Sequence, residues 1–241
     1  MLTVDFEKLR LLPGMKTLDA GCGQGRHSLE FLRRGCSVIG MDLIPEDLVH
    51  TRYLLTAVGR EIEVGAKPAF LTMRGNALNL PFEDNAFDRI ICSEVLEHVT
   101  DPDRAAAELS RVLKPDGILA VSVPTPFTEW AYWFASDDYF NTPGGHVRIF
   151  TAGSLSRLLA RQGLTVEDIN MEHAFHSIYW WVRCVFGLHD DDHPVIHHFK
   201  KILTYFMFSA RLTAMEKRFN HILPKSMVLY ARKGNLAGAE S

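Results

Sequence analysis

The chain lacks any apolar run of the roughly 20 residues that a membrane-spanning helix needs. Its most apolar stretches, 175–188 and 202–210, fall short, so contact with a bilayer is limited to its interface. Cysteine is scarce. Cys22, Cys36, Cys92 and Cys184 form no C-x-x-C pair, which excludes a disulfide framework and points to reduced thiols in a cytoplasmic compartment. Charge of one sign is also missing: 26 Lys and Arg against 29 acids leave a net charge of −3, with no broad basic field for nucleic acid and no acidic tail. The opening MLTVDFEKLRLLPGM has neither the basic start nor the apolar run of a signal peptide, so a mature N-terminus is expected. With 47% hydrophobic and 23% charged residues over 241, disorder, collagen and coiled coil are excluded, and one globular domain with an elaboration remains. One residue type is in surplus. Seven of the 11 histidines lie between His173 and His221.

The first half alternates short apolar runs with helical patterns, the signature of a parallel sheet buried on both faces. Strands are expected at Lys16–Ala20, Ser37–Met41, Phe87–Cys92 and Gly117–Val123, with a weaker one at Ala69–Arg74. Helices are expected at Arg26–Arg34, Pro45–Val58 and Asp103–Leu113, the last started by Asp101–Pro102 and stopped by Lys114–Gly117. From 124 to 148 the chain is rich in aromatics and punctuated by Pro and Gly, the composition of a lid. A helix at Ala152–Gln162, a strand at Leu164–Met171 and a last strand at Ser226–Lys233 complete the pattern. The expected organisation is a core over 1–172, a helical cap over 173–225, and the last strand and tail over 226–241. The fold class is α/β, Rossmann-like and doubly wound, with a mostly parallel seven-stranded sheet and a helical insertion before its last strand.

The strongest local signal is Leu18-Asp19-Ala20-Gly21-Cys22-Gly23-Gln24-Gly25, a strand running into a glycine turn and a helix. Its spacing is G-x-G-x-G, not the G-x-G-x-x-G of a dinucleotide loop. Asp19, two residues before the first glycine, would oppose a pyrophosphate and welcome an ammonium or sulfonium. Asp42 closes the second strand, where an acid can take both hydroxyls of a ribose. A ribose-bearing cation is implied.

LDAGCGQG, VIGMDL, GNALNLPFEDNAFDRIICSEVLEHV and RVLKPDGILAVSVP, in that order, resemble the motif series of the class I S-adenosylmethionine-dependent methyltransferases, of the type that includes the ubiquinone and menaquinone biosynthesis enzymes. The likeness covers about residues 15–165. It implies S-adenosylmethionine as cofactor, with Asp19, Ala20, Gly21, Gly23 and Gly25 lining its methionine part and Asp42 with Leu43 at its ribose. It further implies Asn76 and Ala77 at the adenine and Ser93 near the sulfonium. Many relatives have Asp where this chain has Asn76, whose side-chain oxygen can still accept a hydrogen bond.

Methyl transfer needs a base only where the acceptor must lose a proton. The candidates are His98, in the segment after the fourth strand, and His146, in an H-x-R-x-F segment that the relatives share. Arg148 of that segment is expected at the acceptor, with Trp130, Trp133 and Tyr139 of the lid as its aromatic wall. Oxygen is the expected acceptor atom, since histidines suit hydroxyl deprotonation and no catalytic Lys or Cys pattern competes. The alternatives are a non-catalytic S-adenosylmethionine-binding protein or a dinucleotide-dependent oxidoreductase.

Residues 173–225 hold seven basic and four acidic side chains, against the trend of the rest. A metal site could draw on Asp190–Asp192, His193, His197 and His198, but no H-E-x-x-H or comparable motif is complete, and no metal is expected. Interfacial membrane contact is a second reading. The favoured one is a cap that places His176, Tyr179 and Trp180 at the mouth of the acceptor pocket. The expected partner is a small-molecule acceptor, with the chain a monomer or homodimer and no nucleic acid bound.

Overall fold

The computed structural model describes residues 1–61, 68–135, 145–187 and 193–235, without the side chains at 61, 206–208, 210, 211, 213 and 214. Three parallel strands, β1 (Lys16–Ala20), β2 (Ser37–Asp42) and β3 (Phe70–Arg74), run to one edge of the sheet, and β4 (Phe87–Ser93) and β5 (Leu113–Pro124) continue it on the other side of β1. The last two strands are β6 (Leu164–Glu172) and β7 (Ser226–Lys233), and β7 enters antiparallel between β5 and β6. The order is β3-β2-β1-β4-β5-β7-β6. Chain direction across the sheet reverses between β1 and β4, so a crevice opens beyond their carboxyl ends, where open α/β sheets place ligands.

Both sheet faces are buried, which is why the strands read as near-continuous apolar runs. One core gathers Leu18, Ile90, Leu119 and Leu229 with Leu109 and Leu155, and the other gathers Phe31, Val38, Ile91 and Tyr230. Helices α1 (Arg26–Arg33) and α2 (Pro45–Glu61) follow β1 and β2. Helix α3 (Pro102–Val112) starts where expected, because the Asp101 carboxylate accepts the Arg104 N–H and Pro102 opens the first turn. The expected stop at Lys114–Gly117 belongs instead to β5, which begins at Leu113. A register shift opposite Phe87–Arg89 absorbs Pro115 and Asp116, and Lys114 pairs with Asp88 at 2.7 Å.

Helix α4 (Pro126–Ala135) occupies the first part of the expected lid. Helix α5 (Ala152–Ala160) carries a reciprocal cap between Thr151 and Ser154. Between β6 and β7 come α6 (Ala174–Phe186), α7 (Pro194–Phe208) and α8 (Ala210–Phe219). Helix α6 has no side-chain cap of its own, and α8 supplies one: Asn220 accepts the Ala174 N–H at 2.9 Å and Glu216 the Phe175 N–H at 3.2 Å. Tyr132 of α4 donates to the Ser177 carbonyl at 3.1 Å, joining α4 to α6.

Candidate active site

The glycine loop is held from three sides. Gly21 and Cys22 donate to the Met41 carbonyl at 2.7 and 3.0 Å, Thr51 donates to the Gly23 carbonyl at 2.8 Å, and Asp42 accepts the Gly23 N–H at 2.8 Å. Gly21 and Gly25 lie in the left-handed region (φ +77° and +80°). A Cβ there would sit 2.2 Å from Val95 and 2.6 Å from Thr51 respectively, so no larger residue fits this turn.

Beneath the loop, Asp19 is fully buried. Its Oδ2 accepts from the Ser28 hydroxyl at 2.6 Å, while its Oδ1 has no hydrogen-bond partner. Burial pushes its pKa up to about 6, a rise limited by the Ser28 hydroxyl and by Arg26. The folded chain thus holds this proton more tightly than the unfolded one. The stabilisation is complete below about pH 4 and is lost as pH rises through about 6. A buried, unpartnered carboxylate oxygen under a tight turn fits an arriving ammonium group, which would reverse that penalty.

Asp42 is half-buried and also accepts the Ile44 N–H through Oδ1, with exposed Leu43 between them. Asn76 is exposed and its Oδ1 already accepts the Leu78 N–H at 2.9 Å, leaving that oxygen one lone pair for a ligand; Ala77 beside it is buried. Ser93 is the last residue of β4, not beyond it. Its hydroxyl meets that of Ser122 at 2.8 Å, with Arg26 3.5 Å away.

From Ser93 a polar chain runs outward. Ser122 donates to Glu94 at 2.9 Å, and Glu94 pairs with Lys225 at 3.2 Å. Burial works to raise the Glu94 pKa, but Lys225 and Ser122 together outweigh it and the net shift is downward. Glu94, Lys225, Arg26, His173, His176 and Trp180 line a cavity of about 190 Å³ between the loop end and α6. The His176 Nδ1 is buried there without a partner. Burial, then Lys225, pushes its pKa down to about 4, so the imidazole is neutral at pH 7 and can accept a hydrogen bond.

On the other side of Glu94 the structure brings His98 and His146 together, with ring centroids 4.8 Å apart. His146 Nδ1 lies 2.6 Å from Oε2 of Glu129, a buried residue of α4, and His98 Nδ1 lies 3.2 Å from the Gly145 carbonyl. Both acceptors fix the proton on Nδ1 and make Nε2 the basic nitrogen. Glu97, 4.0 Å from His98 Nε2, is buried with neither oxygen hydrogen-bonded. Burial, then the charge of Glu94, drives its pKa well above the usual range and keeps it protonated.

The structure places the expected acceptor residues as follows. Arg148 Nη2 donates to the Val99 and Thr100 carbonyls at 2.8 and 2.9 Å and pins the His146 segment onto the turn after β4, while its Nε is buried without a hydrogen-bond partner. Trp130 and Trp133 are 61% and 57% exposed on the outer face of α4, because Thr128, Glu129 and Tyr132 take its inner face. Tyr179 stacks on Phe199 of α7, with ring centroids 6.4 Å apart. Tyr139 and Asp190–Asp192 lie outside the described residues. Among the described residues, possible metal ligands converge within 4.8 Å at Glu97, His98 and His146 and at His173, His176 and Glu216, while His193, His197 and His198 join no such group.

Residues 18–121 match the family described as "Methyltransferase domain". The chain is 31% identical over 143 residues to the sterol 24-C-methyltransferase of Schizosaccharomyces pombe, covering 59% of this chain and 34% of that protein. It is 34% identical over 122 residues to the ubiquinone biosynthesis O-methyltransferase of Hahella chejuensis, covering 50% and 48%. It therefore spans a third to a half of these two relatives. The crystal structure of an S-adenosylmethionine dependent methyltransferase from Mesorhizobium loti shares the fold, with a TM-score of 0.60 at 17% identity over 95% of each chain.

Proposed function

We propose that the chain, whose residues 18–121 match a methyltransferase domain, carries a methyl group from S-adenosylmethionine to an oxygen of a small-molecule acceptor. The observation that carries the reading is the buried, unpartnered Asp19 oxygen beneath the glycine loop. Bound there, the cofactor supplies a methyl group activated on a sulfonium, so the protein's work is alignment, exclusion of water and removal of a proton.

Asp19 would meet the methionine ammonium, and the loop from Ala20 to Gly25 would wrap the rest of the methionine part. Asp42 with Leu43 would take the ribose, and Asn76 and Ala77 would meet the adenine. Ser93 ends β4 beside Arg26, the side chain that links the loop to the cavity. That cavity would admit part of the acceptor, while His98 and His146 lie on the other side of Glu94 and do not line it. At about 190 Å³ it is comparable to one six-membered ring with a substituent.

The acceptor atom is argued from Glu129. A buried carboxylate that holds His146 by Nδ1 gives the imidazole a fixed tautomer and supports the positive charge it gains as a base. Relatives named for methylation at carbon and at oxygen both match the chain, so the dyad supports the choice of oxygen. His146→Ala should lower kcat roughly 100-fold or more on the acceptor recovered with the protein and identified by mass spectrometry, and leave S-adenosylhomocysteine affinity within about twofold. Wild-type turnover in both His98→Ala and His146→Ala would remove the histidines from the chemistry.

A further inference from the structure

All four tryptophans of the chain, Trp130, Trp133, Trp180 and Trp181, lie on two helices packed against each other, α4 and α6. Each helix turns a stripe outward at helical spacing: Phe127, Trp130 and Phe134 on α4, and Ile178, Trp181 and Val185 on α6, all exposed. Phe134 is 97% exposed. On α7, Ile202 and Tyr205 are exposed beside Lys200 and Lys201, and on α8, Phe219 is exposed beside Lys217 and Arg218.

Among the described residues of α4 and α6–α8 the carboxylates are Glu129 and Glu216, both buried, while Asp137, Asp138 and Asp190–Asp192 lie outside the described residues. Glu216 caps α6. With Asp190–Asp192 included, residues 173–225 still hold seven basic side chains to four acidic. Among the described residues no helix is long and apolar enough to cross a membrane. Exposed tryptophans with flanking lysines are the composition that rests in the headgroup layer, the rings at the acyl boundary and the ammonium groups on lipid phosphates.

We propose that the outer faces of α4 and α6, flanked by the lysines of α7 and α8, seat the protein on the surface of an anionic lipid bilayer. The described exposed charges of α7 and α8, Lys200, Lys201, Lys217 and Arg218, are all basic and select that occupant over an uncharged bilayer. Helix α6 then faces lipid on one side while Trp180 and His176 line the cavity on the other. The seating stands apart from the reaction and is tested without an acceptor.

The test is co-sedimentation of the full chain with vesicles of equal parts phosphatidylcholine and phosphatidylglycerol, and with phosphatidylcholine alone. Binding is expected to the first, weakened about tenfold or more in Phe134→Ser/Trp181→Ser and in Lys200→Glu/Lys201→Glu, and weakened by salt. Circular dichroism and S-adenosylhomocysteine calorimetry show that each variant remains folded. Equal binding to both vesicle types, no binding, or binding indifferent to these substitutions overturns the proposal. So does a homodimer in solution that Phe134→Ser/Trp181→Ser dissociates, since a second copy then covers the face.

Discussion

A Gly21→Val chain is expected to bind S-adenosylhomocysteine at least about a hundredfold more weakly than the parent, as read by calorimetry, a loss of roughly 3 kcal/mol. Two effects combine. A β-branched residue at φ +77° is strained by roughly 1–2 kcal/mol. Its Cβ would also overlap the Val95 side chain, placed 2.2 Å away. Val95 cannot yield freely, because it lies in the turn from Glu94 to His98 that the Arg148 segment clamps. The loop must move instead, and with it the Gly21 and Cys22 N–H bonds to Met41 that set its height above Asp19. Gly163→Ala is the control. Its φ is +72° with nothing within 4 Å of the added carbon, so it should cost some stability and leave binding unchanged. Parent-like affinity in Gly21→Val would mean that the loop is not the cofactor cradle.

Lys225→Met is expected to lower stability by about 2–3 kcal/mol and the melting temperature by roughly 5–10 °C. The substitution leaves Glu94 with the Ser122 hydroxyl and no neighbouring ammonium. The figure is set below the cost of breaking a fully buried pair because the two side chains retain 19% and 21% exposure. The pH dependence has a definite sign. Glu94 is depressed in the parent, so its contribution is present above the ordinary carboxylate range and lost as pH falls through its folded value. The deficit of the variant should therefore shrink as pH falls through the carboxylate range, because burial without Lys225 makes the variant's carboxyl take up its proton before the parent's does. Glu94→Gln/Lys225→Met should recover most of the loss, since it removes both charges together. Chemical denaturation at two pH values measures all three effects. A full-sized deficit in acid, or no recovery in the double variant, would place the effect elsewhere than in the ion pair.

The parts of the site written in contiguous residues were legible from sequence. The strand, the glycine turn and the helix after it are local decisions, and Asp42 is marked by its place at a strand end. The fold class followed from apolar runs buried on two faces. What sequence did not reveal is partnership across chain closure. Glu94 and Lys225 meet over 131 residues, and nothing near Lys225 marks it. Glu97 stood inside the segment that singled out His98, yet only packing makes it an isolated buried acid. Glu129 was passed over among the aromatics of α4, where the visible signal came from Trp130 and Trp133. Those rings face outward because the helix spends its inner face on Tyr132 and on the carboxylate that holds His146. Arg148 carried a motif position, and its Nη2 is held by two backbone carbonyls that the sequence did not announce. In each case residue type announced chemistry, and burial decided which side chain performs it.

Calorimetry of S-adenosylhomocysteine against NAD tests the central claim most directly. The account predicts that S-adenosylhomocysteine binds and NAD does not. It also predicts affinity about tenfold weaker at pH 5 than at pH 7, because binding requires ionised Asp19 with its pKa of about 6, and a flat, weak profile in Asp19→Asn. Binding of NAD without binding of S-adenosylhomocysteine would contradict it.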